Sequence, residues 1–400
     1  MKFSAEEVMQ YIQEENVKFI RLAFCDVYGE QRNIAIMPSE LKRAFQYGIA
    51  IDASAIAGFG GEVRSDLFLH PDPTTLVCLP WRPESGKVVR MFCDITYPDG
   101  TALESDTRSI LKKAVAAAEK AGFTFHFGPE MEFYLFKTDD AGEPTRIPCD
   151  KAGYMAIAPD DRGENVRRDI CLTLEQMGIR PESSHHEEGP GQNEIDFRYS
   201  DALSAADNTV TFRSVVKTVA WRNGFCADFS PKPLAHQPGS GMHINISAGS
   251  TQELSHVIAG IMEKIREMTV FLNPCDNSYE RFGSDKAPAY ISWSSENRSQ
   301  LIRIPATHKP NPRAELRSAD PTANPYLAFA LLIYAGLYGA QQGLTPPEPA
   351  DINLFTASDE VLAQFEKLPQ SLKEAAEIAG SSNFVHQHLP DTVIEAYCGR

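Results

Sequence analysis

GPEMEFYLF (residues 128–136) sets two glutamates, Glu130 and Glu132, into an otherwise apolar and aromatic run. Strand side chains alternate with a period of two, so both carboxylates project to one face while Met131 and Phe133 take the other. A solvated strand face gives the same alternation. Against that reading, the flanking aromatic and aliphatic residues suit a buried strand, where an unpaired charge is expensive.

Three further segments repeat the pattern. HHEEGPGQNE (185–194) carries Glu187 and Glu194 on either side of a Gly-Pro-Gly turn that would fold them towards a common point; a polar surface loop fits this stretch equally well. GSGMHINIS (239–247) alternates His243, Asn245 and Ser247 against Met242, Ile244 and Ile246, which looks like a site wall. Between positions 281 and 317 lie Arg281, Arg298, Arg303, Arg313 and Arg317, with Glu315 on the same alternating face as the last two. That Arg-Glu-Arg ladder is either a cross-strand salt bridge or part of an anion site suited to carboxylate or phosphate.

Five glutamates and one histidine form a hard, oxygen-rich donor set that selects magnesium or manganese over zinc or copper. Five carboxylates in one pocket need about two divalent cations to neutralise them. Arginines beside such metals fit phosphoryl transfer, in which positioning and charge neutralisation dominate. Neither a Walker A loop nor a Rossmann glycine fingerprint is present, so a nucleotide site here is of another type.

The surroundings narrow the class. The 400 residues exceed one typical core and predict a small unit over 1–100 and a larger one over 101–400, in an α+β fold with substantial antiparallel sheet. The turn-rich DITYPDGT (94–101) marks the boundary. Ser4 and Glu7 predict a capping box, and the runs 17–27 and 31–37 predict a hairpin about Tyr28–Glu30. Thr107–Ala121 reads as an amphipathic helix closed by Gly122, and a strand follows from Phe123. Asn324 and Pro325 predict the cap and first turn of the apolar helix 326–340.

A net charge of −16 excludes a nucleic-acid partner, since phosphate neutralisation needs a basic face. The run 326–340 is shorter than the roughly 20 residues a membrane span needs, and the acidic N-terminus has no signal-peptide core. Eight scattered cysteines read as reduced thiols, so the expected location is cytoplasmic.

In this order along the chain, the segments resemble the glutamine synthetase family, together with Asp52-Ala53-Ser54, Lys232-Pro233, Asp320-Pro321 and Asn324-Pro325-Tyr326-Leu327. The resemblance implies a β-grasp-like N-terminal domain, a larger catalytic domain, and a ring-stacked homo-oligomer, commonly a dodecamer, with active sites between subunits. It implies that ATP phosphorylates glutamate and that ammonia displaces phosphate from γ-glutamyl phosphate. By position, Glu132, Glu187 and Glu194 would hold one metal, and Glu130, His243 and Glu315 another. Arg281 and Arg317 would grip the amino acid, with Gly239 lining that site. Arg298, Arg303 and Arg313 would neutralise the nucleotide and the transferring phosphate, with Ser247 near the base. Asp52, from the neighbouring subunit, would sit with Tyr154 at the ammonium site.

The departures fall on the amine side. The family's flap glutamate precedes Ala-Pro; here RFGSDKAP (281–288) places Lys286 there, with Asp285 as the substitute base if the loop shifts. A protonated lysine repels ammonium and cannot serve as that base. Ala55 stands where the family usually has a serine, and Pro238 where an asparagine is common. Asn353-Leu354-Phe355 lacks the tyrosine that some bacterial members adenylylate, which predicts no such control. Three readings follow: glutamate–ammonia ligation, ligation of an organic amine instead, or a weakly active or non-catalytic metabolite sensor.

Overall fold

The computed structural model describes residues 3–59, 65–82, 84–284, 286–295, 297–306 and 312–399. Asp285 lies outside the described residues.

The N-terminal unit opens with α1 (Ala5–Glu14), whose capping box pairs Ser4 with Glu7 as the sequence predicts. β1 (Phe19–Cys25) and β2 (Gln31–Ile36) form an antiparallel hairpin with Cys25 opposite Gln31. Gly29 turns the chain at φ +80°, a conformation that favours glycine. After α2 (Leu41–Tyr47) come β3 (Ile49–Asp52), β4 (Asp66–Pro71), β5 (Val77–Cys78) and β6 (Val88–Thr96). The strand order β2-β1-β6-β4-β3, with β6 parallel to β1, is that of a β-grasp-like sheet. β6 runs to Thr96, so the turn spans 97–101, shorter than the stretch 94–101 read from composition. Burial of Ile95 and the ion pairs of Asp94 with Arg108 and Lys112 keep that end of the strand in place.

The second unit starts with α3 (Thr107–Lys120), capped by Asp106, with Gly122 at φ +83° beyond its end. The strand expected from Phe123 begins at His126. β7 (His126–Thr138) is the spine of a ten-stranded sheet. Beside it along the chain come β8 (Pro144–Pro148), α4 (Glu164–Gln176), β9 (Pro181–His186) and β10 (Gln192–Phe197). Next are β11 (Ser200–Asp201), α5 (Ala202–Arg222), β12 (Phe225–Asp228), β13 (Met242–Ser247) and α6 (Thr251–Leu272). β14 (Trp293–Ser295), β15 (Ile302–Ile304), β16 (Ala314–Leu316) and α7 (Pro325–Gln342) complete the frame. The main path is β14-β15-β16-β13-β7-β10-β9.

One face of this sheet is the core. Met131, Phe133, Ile195, Met242, Ile244 and Leu316 are fully buried in one apolar cluster with residues of α5, α6 and α7. α7 is apolar on nearly all sides because it is enclosed, and Asn324 caps it through Tyr326 N while its amide donates to Val27 O of the first unit. Arg108 ties the units together through Asp72, Asp94 and Asp207. No described helix is long and apolar enough to cross a membrane. All eight cysteines are free thiols.

Candidate active site

The other face of the sheet carries the charge. Register brings His185, Glu194 and Glu132 side by side across β9, β10 and β7. One step along, Ser183, Asp196, Glu130 and His243 line up, and Glu315 stands between Asn245 and Arg303. Residues from four distant segments therefore meet because hydrogen-bonded strands place their alternate positions on one face.

Most of these side chains, though not Ser183 or Asn245, line a cavity of about 410 Å³. Its described walls hold seven carboxylates, five arginines and one lysine. The carboxylates concentrate on the strand floor, with His243 among them: its Nδ1 lies 3.6 Å from Glu130 and 3.9 Å from Glu315, and its Nε2 lies 3.9 Å from Glu132. Glu132 accepts from Gly241 N at 2.9 Å and from Gln192 at 3.1 Å. Glu187 pairs with His185 Nε2 at 2.8 Å, and Glu194 lies 3.9 Å from the same nitrogen. Potential ligand atoms of Glu130, His243 and Glu315 fall within 4.8 Å of one another. Glu132, Glu187 and Glu194 divide between two overlapping groups, Glu132–Glu194–His243 and His185–Glu187–Glu194.

Crowding is visible in the protonation of the floor. Burial, then the charges of Glu132 and Asp196, push Glu194 well above the carboxylate range. Glu132 is also raised, by burial and by Glu187. Asp196 is pushed up to about 6 by burial and by Glu130. Glu130 moves the other way: burial opposes its ionisation, but His243, Asn245 and the Arg317 charge outweigh it and bring it down to about 2. Carboxylates raised by mutual repulsion, with the imidazoles of His185 and His243 among them, are the donors a hard divalent cation relieves, so the residues fit magnesium or manganese.

The arginines border these carboxylates. Glu315, almost wholly buried, accepts from both Arg303 and Arg317. Arg317 also donates to Arg298 O at 3.2 Å, and Arg281 donates to Ser318 O at 3.1 Å. The Nε atoms of Arg281 and Arg303 are buried with no partner among the described residues. Gly239 permits this packing, because a Cβ there would lie 2.6 Å from Arg281 Cγ and 2.6 Å from Pro231 O. Arg298 and Arg313 are exposed at the rim.

Lys286 sits at the mouth with φ +67°, a left-handed conformation that costs a non-glycine residue on the order of 1 kcal/mol. Its ammonium pairs with Glu188 and lies 5.2 Å from the Tyr154 ring, which meets His185 edge-on at 5.5 Å. Ser247 lies in an adjoining cavity of about 560 Å³, which shares Glu130, Asp196 and Arg313 with the first. Asp52 does not line either cavity of its own chain. It is exposed at the end of β3, where hydrogen bonds from Ser54, the backbone bond first, lower its carboxyl pKa.

Asp196 and Gln192 also belong to the site and are absent from the residue set read from sequence, while Asn245, read there as part of a site wall, donates to Glu130 at 2.7 Å. Asp196 stands two residues beyond Glu194 in a strand, so the alternation that selected Glu130 and Glu132 would have found it.

Comparison with known proteins assigns the family. The model of the glutamine synthetase catalytic domain matches residues 104–399, and that of the glutamine synthetase β-grasp domain matches residues 16–98. The glutamine synthetase of Methanosarcina mazei is 45% identical over 410 residues, covering 98% of this chain and 92% of the relative. That of Clostridium saccharobutylicum is 42% identical over 414 residues, covering 99% and 94%. A solved structure described as "GmaS/ADP complex-Conformation 1" superposes with a TM-score of 0.87 at 27% identity, covering 98% of this chain and 94% of that one. The chain belongs to the glutamine synthetase family of ATP-dependent ligases.

Proposed function

We propose that the protein ligates glutamate with ammonia: ATP phosphorylates the γ-carboxylate, releasing ADP, and ammonia displaces phosphate from the γ-glutamyl phosphate to give glutamine. The observation that carries this reading is the single cavity in which buried carboxylates and His243 face Arg281, Arg298, Arg303, Arg313 and Arg317. Glu130, His243 and Glu315 would hold one divalent ion and Glu132, Glu187 and Glu194 another, and such ions supply charge neutralisation for the moving phosphoryl group. Arg281 and Arg317, held by Ser318 O and Glu315, are preorganised to bind the amino-acid carboxylate end, with Gly239 leaving room for the stem of Arg281. Arg298, Arg303 and Arg313 balance phosphate charge. The cavity around Ser247 would take the nucleoside.

Asp52 would enter this cavity from a neighbouring subunit of a ring-stacked, cytoplasmic homo-oligomer, a dodecamer by family likeness, built from units 1–100 and 101–400. There it would meet the amine beside Tyr154 and accept its proton. Phosphate release measured with glutamate, ammonium, ATP and magnesium tests the proposal: turnover should require all four. Release that persists without glutamate or without ammonium overturns it.

Lys286 favours a second reading, in which an organic amine replaces ammonia. Its ammonium occupies the amine side of the cavity and repels a small cation, while Ala55 removes a hydroxyl from the family's ammonium pocket. In a panel of amines, this reading expects at least one alkylamine to exceed ammonium in kcat/KM. Ammonium ahead of every amine excludes it.

A further inference from the structure

Among the described residues that line the ligase cavity, Lys286 is the one lysine, and the other fixed cations are arginines. The backbone aims it. Gly283 N donates to Ala287 O at 3.0 Å and Ala287 N to Ser284 O at 2.9 Å, which closes a tight turn. The guanidinium of Arg317 donates to Lys286 O at 3.4 Å, and Ala287 is buried beside it. The left-handed backbone of Lys286 is therefore held in place at the mouth, with the side chain outermost.

The ammonium meets Glu188, and the two side chains are 44% and 40% exposed. So open an ion pair contributes little to stability, and a ligand parts it at little cost. Its surroundings are graded. Glu187, half-buried, accepts from Glu188 N at 3.1 Å, and Glu194 behind it is buried. His185 bonds to Glu187, while the Tyr154 ring stands against both His185 and the lysine. From the rim inwards, a cation is followed by carboxylates, with an aromatic wall beside them. Ammonium finds an attractive floor but a repelling rim, and an alkylamine, cationic in water, fares no better. A zwitterion matches both: its ammonium faces Glu188 and Glu187, and its carboxylate faces Lys286.

We propose that Lys286 and Glu188 form an acceptor subsite for an amino acid, a primary amine that carries its own carboxylate, and that the product is a γ-glutamyl amino acid. This rests on the reading in which an organic amine replaces ammonia, and it names the class of that amine. ATP transfers its γ-phosphoryl group to the side-chain carboxylate of glutamate and leaves as ADP. The acceptor's ammonium gives one proton to Asp52 in the arrangement proposed above, and the freed nitrogen lone pair attacks the γ-carbonyl carbon. The bond from that carbon to the phosphate oxygen breaks. Phosphate leaves with the electron pair and takes up the second proton of the nitrogen. Lys286 holds the acceptor's carboxylate throughout and exchanges no proton.

The test compares acceptors with the full-length protein, glutamate, ATP and magnesium, reading ADP and identifying the γ-glutamyl product by mass. Glycine and β-alanine carry the carboxylate, glycinamide and ethylamine lack it, and ammonium completes the set. Glycine or β-alanine should exceed glycinamide and ethylamine in kcat/KM by about tenfold or more, the range of one charge-assisted contact. γ-Glutamylglutamate formed with glutamate as the sole amine is support of the same kind. Lys286→Met should raise KM for the favoured amino acid by a similar factor and improve kcat/KM for ethylamine, because a repelling charge is gone. Lys286→Arg should keep the parent's order of acceptors. If glycinamide or ethylamine matches the amino acids, the proposal falls while the organic-amine reading stands. Ammonium ahead of every other acceptor removes both. Absence of glutamate-dependent ADP with every acceptor removes the ligase reading beneath them. A Lys286→Met enzyme depressed equally towards all acceptors would make the lysine a structural residue, and this too overturns the proposal.

Discussion

The two faces of the ten-stranded sheet share the same strands and differ in everything else. Phe133 and Glu132 are adjacent residues of β7, yet one packs against Phe212 and Phe229 while the other lies among carboxylates raised by their own repulsion. The apolar face stabilises the fold. The charged face is tolerated because that stability exists, and its cost is repaid only when cations and substrates arrive. Stability and function are thus separated by a single step along a strand, and substitutions on alternate residues should fail in opposite ways.

The largest effect is expected on the apolar side. Phe133→Ala removes a fully buried ring and should cost about 3–5 kcal/mol of stability. Chemical denaturation reads this directly. A loss below about 1 kcal/mol would mean that the back of the sheet is not the core described. Glu194→Gln is the counterpart: phosphate release should fall by roughly 10²–10³-fold, while the melting temperature measured in a chelator stays equal or rises as like-charge crowding is eased. Chelation of the parent protein should abolish turnover, and added magnesium or manganese should restore it.

Alternation explains what was legible in the sequence. Glu130, Glu132, His243 and Glu315 were readable because period-2 spacing needs no knowledge of the partner strand. The partner strands supply what spacing alone leaves open: antiparallel register sets Asp196 opposite Glu130, and the turn read at Gly-Pro-Gly brings Glu187 and Glu194 to the same His185 nitrogen. The elements of the N-terminal unit were legible from caps and turns, but the end of β6 was not, since burial of Ile95 and pairing of Asp94 override a turn-rich composition.

Gly239→Ala sharpens the comparison at the wall between the faces. Its Cβ meets Arg281 Cγ and the fixed carbonyl of Pro231, so the arginine must shift by several tenths of an ångström. Because misplacing a binding group by about 1 Å can cost about 10²-fold, kcat/KM for glutamate should fall by roughly 10–100-fold with little change in the ATP dependence. Steady-state kinetics with each substrate varied in turn would reveal an equal loss for both, which would contradict a role confined to the amino-acid side.

The smallest effect concerns the support beneath Glu187. Asp150 accepts from His186 Nε2 at 2.9 Å and from Gly191 N at 3.0 Å, clipping the two ends of the turn that carries Glu187. His186 Nδ1 lies 2.7 Å from Glu187 O, and the buried pair Asp161–Arg167 packs alongside, with Arg167 donating to Asn193. Burial opposes the charge on Asp150, but His186 and Arg162 N outweigh it and hold the carboxyl below its usual range. Burial likewise lowers His186, yet the bond to Asp150 prevails and raises it. The lowered Asp150 stabilises the fold above about pH 4, and this is lost as pH falls through its folded value. The raised His186 stabilises it fully below about pH 6.5, and this is lost as pH rises through its folded value. The two contributions overlap in that window. A double-mutant cycle with Asp150→Asn and His186→Gln should therefore give a coupling of about 0.5–3 kcal/mol at pH 6 that shrinks by pH 9. A coupling that is flat with pH would show that the pair works as a neutral hydrogen bond, and the charged face would then end at Glu187 instead of reaching into the layer behind it.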